Sequence, residues 1–276
     1  MARFKLAIEY AGTRYRGWQI QKNARTVQGE LDRAVLEVSG RRDFELYGSG
    51  RTDAGVHALM QVAHLDLETP RAPEALRLAL NEALPADIHV LSAEKVSRRF
   101  HARHGALARS YLYQISRRRT ALAKPYVWWV KDALDLERMR EAAQLFLGMQ
   151  DFRSFTDSDP GQTSTRVLIE RLELAEDGEL VLVRILGSHF LWKMLRRIVG
   201  VLAEVGRGAL GKSDVQRFLH MASVVPAALT APPSGLFLER VFYEGDPREL
   251  PLRAAIPVSA VALPGTSRPA DRTPPR

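Results

Sequence analysis

Segments with a two-residue apolar/polar alternation, interleaved with segments that gather apolar residues on one helical face, predict an α+β fold. A first run of strand, helix, strands, helix and strand is followed by a second run of similar order, which predicts two subdomains joining their sheets. The expected division is 1–105 and 106–246, with 247–276 as a disordered tail rich in proline and arginine. No convincing internal sequence repeat accompanies this similarity of order.

Phe4, Leu6, Ile8 and Tyr10 alternate with Lys5, Ala7 and Glu9, as a half-buried strand requires. A loop over 11–25 follows, rich in Arg, Gly and Gln and holding Tyr15 and Trp18. Val27, Leu31, Ala34, Val35 and Val38 then share one face of a helix that ends near Ser39. Phe44, Leu46 and Gly48 suggest a strand into a glycine-rich turn, and 58–67 a strand out of it. Pro73 opens a helix through Leu84, Pro85 stops it, and a strand over 88–96 closes the first half.

The second half begins with a strand over 108–116 and a helix over 136–147 ended by Gly148. Strands over 167–174 and 180–186 meet at Asp177-Gly178, a hairpin signal. Phe190, Met194, Ile198, Val201, Leu202 and Val205 form the stripe of a helix over 190–205. Ser213 and Gln216 read as a capping box for a short helix, and the last strand spans 236–243. From Pro247 onward periodicity disappears, and seven of the fifteen prolines fall there, the pattern of a flexible terminus.

A chain of 276 residues with 46% hydrophobic content can bury a sizeable core. It shows no apolar run of membrane-span length and no signal-peptide core after Met1, so a soluble, cytoplasmic protein without membrane association is expected. With no cysteine, thiolate chemistry and Cys-based metal sites are excluded. The formal charge of +8 favours an anionic partner. Between Lys95 and Lys131 stand ten Lys or Arg residues and no acid, with Phe100, Tyr111, Tyr113, Tyr126, Trp128 and Trp129 among them. Cations neutralise phosphates and rings stack on unpaired bases, so this stretch reads as a nucleic-acid face.

The candidate site is the turn Gly48-Ser49-Gly50-Arg51-Thr52-Asp53-Ala54-Gly55-Val56-His57-Ala58. Three glycines allow positive φ and close approach of the backbone to a ligand, so Arg51 and Asp53 can project from an uncluttered surface. The plainer reading is a strand connection with a local Arg51–Asp53 ion pair. A nucleotide-phosphate loop is disfavoured, because no Gly-Lys-Ser/Thr ending and no complete Gly-x-Gly-x-x-Gly are present. His57 and His64 flank one strand, and His101 and His104 lie three apart, without a third ligand, so no metal is expected. The stretch Asp157-Ser158-Asp159-Pro160-Gly161 lacks the spaced Glu of a calcium loop and reads as a turn.

The run Gly50 to Ala58 resembles the catalytic motif of the tRNA pseudouridine synthase A family. Thr26-Val27-Gln28-Gly29-Glu30-Leu31, Arg109-Ser110-Tyr111-Leu112-Tyr113, Lys193-Met194-Leu195-Arg196-Arg197-Ile198-Val199-Gly200 and Ala231-Pro232-Pro233-Ser234-Gly235-Leu236 resemble that family in the same order. The similarity covers roughly 3 to 244, and the polar loop after Phe155 departs from the family pattern.

The resemblance implies mixed, mainly antiparallel sheets flanked by helices around a central active-site cleft. It implies isomerisation of uridine to pseudouridine in the anticodon stem-loop of tRNA, at positions 38, 39 and 40, by a homodimer without cofactor. Asp53 is then the catalytic carboxylate. Arg51 takes the vacated place of the base or a phosphate, Tyr111 stacks on the target base and is a candidate for proton abstraction, Leu195 walls the pocket, and Arg196 is the cation beside Asp53. From the helical pattern alone Arg196 cannot be preferred to Arg197. Two rival functions are a non-catalytic RNA-binding protein on the same scaffold and a glycosidic-bond hydrolase, the latter calling for a second carboxylate.

Overall fold

The computed structural model describes residues 1–158 and 164–259. In the first half β1 (Ala2–Tyr10) buries Phe4, Leu6, Ile8 and Tyr10, the alternating set. Helix α1 (Val27–Ser39) starts where Thr26 Oγ1 accepts a hydrogen bond from Gly29 N at 3.2 Å and stops where Gly40 turns left-handed. Strands β2 (Glu45–Gly48) and β3 (His57–Leu67) enclose the glycine-rich turn, and helix α2 (Pro73–Ala83) and strand β4 (Ile88–Val96) complete the half.

The second half runs β5 (Ala108–Ser116), β6 (Trp128–Trp129), α3 (Leu136–Ala143), β7 (Gly148–Asp151), β8 (Arg166–Asp177) and β9 (Leu180–Gly187). It continues with α4 (Met194–Gly206), α5 (Lys212–His220), α6 (Val225–Ala228) and β10 (Leu236–Phe242). All ten strands form one mixed sheet in the order β4-β1-β3-β10-β5-β9-β8-β7, with β2 also on β3 and β6 also on β5. Pairs are antiparallel except β3 with β10 and β5 with β6. Each half lays its last strand antiparallel to its first, β4 on β1 and β10 on β5, and the halves meet along β3 and β10. The α+β fold of two similarly ordered halves is therefore present as a single continuous sheet.

The main core includes buried residues from α1 to α5 packed on the sheet, such as Leu31, Leu80, Met139, Ile198 and Phe218. On the opposite face, Leu112, Leu180, Leu182 and Phe237 form a second cluster, to which helices α1 to α6 contribute no residue among those described. Among the described residues no helix is long and apolar enough to cross a membrane.

Four local expectations are corrected. Helix α4 begins at Met194 and not Phe190, because Lys193 takes a left-handed conformation (φ 63°) that interrupts the helix. Helix α3 ends at Ala143 and tightens into a 3₁₀ turn over Gln144–Phe146. Helix α5 starts after Gly211, whose N–H donates to Asp214 Oδ2 at 2.9 Å, so Asp214 replaces the expected Ser213 and Gln216. The short strands β6 and β7 escape sequence reading because two to four residues carry too little periodicity. The expected Pro160-Gly161 turn and the terminal run from 260 lie outside the described residues.

The fifth correction concerns the expected flexible terminus, since 247–259 crosses the face opposite the helices and is held there. Arg184, buried on β9, donates to Leu250 O and Pro251 O at 2.8 Å. The fully buried carboxamide of Gln114 accepts from Ala255 N at 2.6 Å, Asp177 Oδ2 accepts from Ala254 N at 2.9 Å, and Glu179 N donates to Val258 O at 3.1 Å. Leu252, Ala255, Ile256 and the buried Val258 close over the apolar cluster. Proline removes backbone donors, so this segment is held mainly by side-chain groups of the sheet, with the Glu179–Val258 backbone bond beside them, and not by strand pairing. Truncation after Asp246 is expected to lower stability by roughly 2–4 kcal/mol, through exposed apolar surface and the lost hydrogen bonds of Arg184 and Gln114 to the segment. The melting temperature should fall by about 5–10 °C. An unchanged value would show the segment to be dispensable.

Candidate active site

The free edge of β3 has two partners, and the candidate site lies between them. Ala63–Asp66 pair with β2 and His57–Ala58 with β10, so the edge forks around Leu59–Val62. The turn over 49–56 fills that fork. Ser49 N donates to Val62 O at 2.7 Å, Ser49 Oγ donates to Gln61 Oε1 at 2.6 Å, and Gln61 Nε2 donates to Gly50 O at 3.2 Å. Gln61 is fully buried, so an apparently ordinary polar strand residue fixes the start of the turn. Tyr10 Oη and Thr52 Oγ1 hydrogen-bond at 2.8 Å, and Trp18 N donates to Thr52 O at 3.1 Å. Thr52 thus points inward, while its neighbours Arg51 and Asp53 face the cleft.

The three glycines do different work from that expected. Only Gly55 has positive φ (79°). Gly48 makes room for the Trp18 indole, which a Cβ would meet at 2.6 Å, and Gly50 has open space around it. His57 is structural: its Nδ1 accepts from Gly12 N at 3.0 Å, which places the ring proton on Nε2 for donation to Pro125 O at 2.9 Å. Burial lowers its pKa, so it stays neutral.

Asp53, Arg51, Tyr111, Leu195 and Arg196 all line one cavity of about 1010 Å³, together with Trp192, Lys193 and Arg109. Arg196 Nη1 lies 3.6 Å from Asp53 Oδ2. The guanidinium is aimed from behind, because Arg196 Nε donates to Ala231 O at 2.7 Å while Ala231 N returns a bond to Arg196 O at 3.0 Å. Burial raises the Asp53 pKa above the ordinary carboxylate value, and the charges of Arg196 and Lys193 and a hydrogen bond from Trp192 oppose that rise. The local Arg51–Asp53 ion pair is not formed; Arg51 is exposed and makes no ion pair or hydrogen bond among the described residues.

Tyr111 is buried on β5 between Leu238 and Ile185, with its ring edge-on to Phe190 at 5.3 Å. Burial, aided by the Asp53 charge, pushes its phenol up to about 12, against the pull of Arg109. At neutral pH it is therefore protonated. Arg109 ties the floor together, donating to Ser188 O at 2.8 Å and to Ser49 O at 3.0 Å. Leu195 is buried beside Arg196. Arg197 points elsewhere, to Asp157, which decides between the two arginines.

Sequence reasoning gave no site role to Trp192, Lys193 or Arg109, although Arg109 and Lys193 stand in motifs already singled out. The exposure of Trp192, 54% amid buried Leu191 and Met194, is a tertiary fact with no local signal. The single basic and aromatic face expected over 95–131 divides at β5. Arg103 and Arg109 reach the cleft, whereas Arg117, Arg118 and Arg119 follow the strand's far end, and Tyr111 and Tyr113 are buried. Among the described residues no group of three or more His, Asp or Glu is placed to hold a metal ion. His101 packs instead against His64 and His104.

The family model described as tRNA pseudouridine synthase matches residues 6–104 and 142–244, which include Arg51, Asp53, Leu195 and Arg196 but not Tyr111. A protein named tRNA pseudouridine synthase A from Thermoanaerobacter sp. (strain X514) is 38% identical over 245 residues, 88% of this chain and 100% of that protein. Its namesakes from Afipia carboxidovorans and Rhodopseudomonas palustris (strain BisA53) are 41% and 42% identical, each over 88% of this chain and 100% of the relative. With most of the chain matched in this way, the protein belongs to the tRNA pseudouridine synthase family.

Proposed function

We propose that this chain isomerises uridine to pseudouridine in tRNA, with Asp53 as the catalytic carboxylate. The observation that carries this reading is the half-buried Asp53 carboxylate facing Arg196 at 3.6 Å in a cavity large enough for a nucleotide. The N1–C1′ bond breaks, the uracil turns, a C5–C1′ bond forms, and the proton on C5 is lost while N1 gains one. Each role requires Asp53 ionised, whether it attacks carbon or supports a cationic sugar centre. A uridine within a stem must leave the stack first, at a cost of roughly a few kcal/mol. Arg51, unpaired at the rim, is free to hold a phosphate or fill the vacated space. Tyr111 and Leu195 offer the base a stacking ring and an apolar wall. With its phenol pushed up to about 12, Tyr111 is protonated at neutral pH in the free protein and must lose that proton before it can take the one on C5.

The same proposal includes the anticodon stem-loop, positions 38, 39 and 40, as the target, a cytoplasmic location and no cofactor. It also includes two subdomains divided at 105/106 and a homodimer. Light scattering tests the last, since a solution mass of 30.9 kDa would show a monomer.

Tritium release from tRNA transcripts labelled at uracil C5, with mapping of the product, tests the reaction. Wild type should release tritium and form pseudouridine in the anticodon arm. Asp53→Ala should slow release by about 10³-fold or more. Its affinity for tRNA should remain within a few fold. Binding by wild type without release would leave only an RNA-binding protein, and free uracil would reveal a hydrolase.

The pH profile tests the pairing. The active form is the carboxylate, so activity falls as pH drops through the raised Asp53 pKa. Arg196→Met removes the opposing positive charge, which raises that pKa further. The acid limb of kcat/KM should therefore move to higher pH, with a loss of roughly 10²-fold at pH 7. An acid limb that stays in place would break the Asp53–Arg196 assignment.

A further inference from the structure

The backbone just before α4 is held in a shape that its sequence does not favour. Lys193 has φ 63° and ψ −3°, uncommon for a residue with a side chain, and this left-handed residue sets where the helix carrying Leu195 and Arg196 begins. Its surroundings converge on one carboxylate. Asp157, on the loop after the 3₁₀ turn Arg153–Phe155, accepts from Lys193 Nζ at 2.7 Å through Oδ2 and from Arg197 Nη2 through Oδ1. Its neighbour Thr156 donates from Oγ1 to Trp192 O at 3.1 Å, and the Lys193 ammonium lies over the Trp192 ring at 4.5 Å.

The two cations that Asp157 holds lie on either side of Arg196 in sequence. Arg197 is 3% exposed and its Nε has no hydrogen-bond partner among the described residues, where the Asp157 carboxylate is the group that compensates this buried guanidinium. Anchoring Arg197 fixes the rotation of the first turn of α4. Arg196, about 100° away around a helix of 3.6 residues per turn, is then directed toward Asp53. The Arg196–Ala231 bonds hold the guanidinium from behind, whereas the Asp157 clamp sets the helix from which it projects.

We propose that Asp157 is a positioning residue that holds the 193–197 turn so that Arg196 faces Asp53. It does not line the cavity and does not touch Asp53. The inference rests on the roles assigned above to Asp53 and Arg196. It also accounts for an acidic residue in the polar loop after Phe155, whose sequence departs from the family pattern.

The experiment compares wild type, Asp157→Asn, Asp157→Glu, Arg196→Met and the Asp157→Asn/Arg196→Met double variant as full-length chains, using C5-tritiated tRNA transcript. Asp157→Asn should lower kcat about tenfold or more, with KM and tRNA affinity within about threefold. The double variant should be no slower than Arg196→Met alone, because a residue acting through Arg196 has nothing left to position. Asp157→Glu, which keeps the charge on a longer stem, should lie between wild type and Asp157→Asn. If Asp157→Asn does not fold, as judged by circular dichroism, Asp157→Glu takes its place under the same criteria for kcat and KM. Unchanged kcat, a loss carried by KM alone, or losses that multiply in the double variant would each overturn the proposal. Absence of tritium release by wild type would instead defeat the reading of the function itself.

Discussion

A carboxylate taken out of water stays ionised only if a positive charge is fixed beside it, and the architecture around Asp53 follows from that requirement. The partner, Arg196, comes from the other half of the chain. Neither half alone can contain an ionised, sheltered Asp53. Burial raises its pKa and Arg196 restrains the rise, so the carboxylate is more basic than an ordinary surface aspartate while keeping a counter-charge.

The sheet brings these two halves together through its last strand. β10 inserts between β3 and β5, pairing in register with β3 at only two positions and with β5 along most of its length. That short parallel contact leaves the rest of the β3 edge to β2 and opens the fork that the Asp53 turn fills. The cleft is thus a consequence of the way the two halves of the sheet are joined. The segment from 247 to 259 then seals the face opposite the helices, using Arg184, Gln114 and Asp177 where backbone pairing is not available.

Charge in the cleft and behind it is graded by what each cation is bound to. Arg109 spans the floor, Arg197 is compensated by Asp157, Arg196 faces Asp53, and Arg51 is unpaired at the rim. A polyanion approaching this surface meets an uncommitted cation first and the structural ones last. The Asp157 clamp belongs to this order, since it occupies one buried arginine so that the adjacent one is left for the carboxylate.

By itself the sequence determined the elements whose signals are local. Alternation placed β1, the apolar face of Val27, Leu31, Ala34, Val35 and Val38 placed α1, Pro73 opened α2, and the Gly50–Ala58 motif located the turn bearing Arg51 and Asp53. These depend on side-chain period and backbone propensity over a few residues, which a chain carries wherever it folds. The tertiary structure decided everything that rests on contacts between distant residues. Arg196 and Arg197 are adjacent on a helix and alike in chemistry, and only Asp53 and Asp157, from two other loops, assign them different tasks. The left-handed Lys193, the burial of Gln61 and the docking of residues 247–259 are likewise imposed by partners elsewhere in the chain. Long-range hydrogen bonds and ion pairs override local preference because an unpartnered buried polar group costs more than a residue's intrinsic conformational bias.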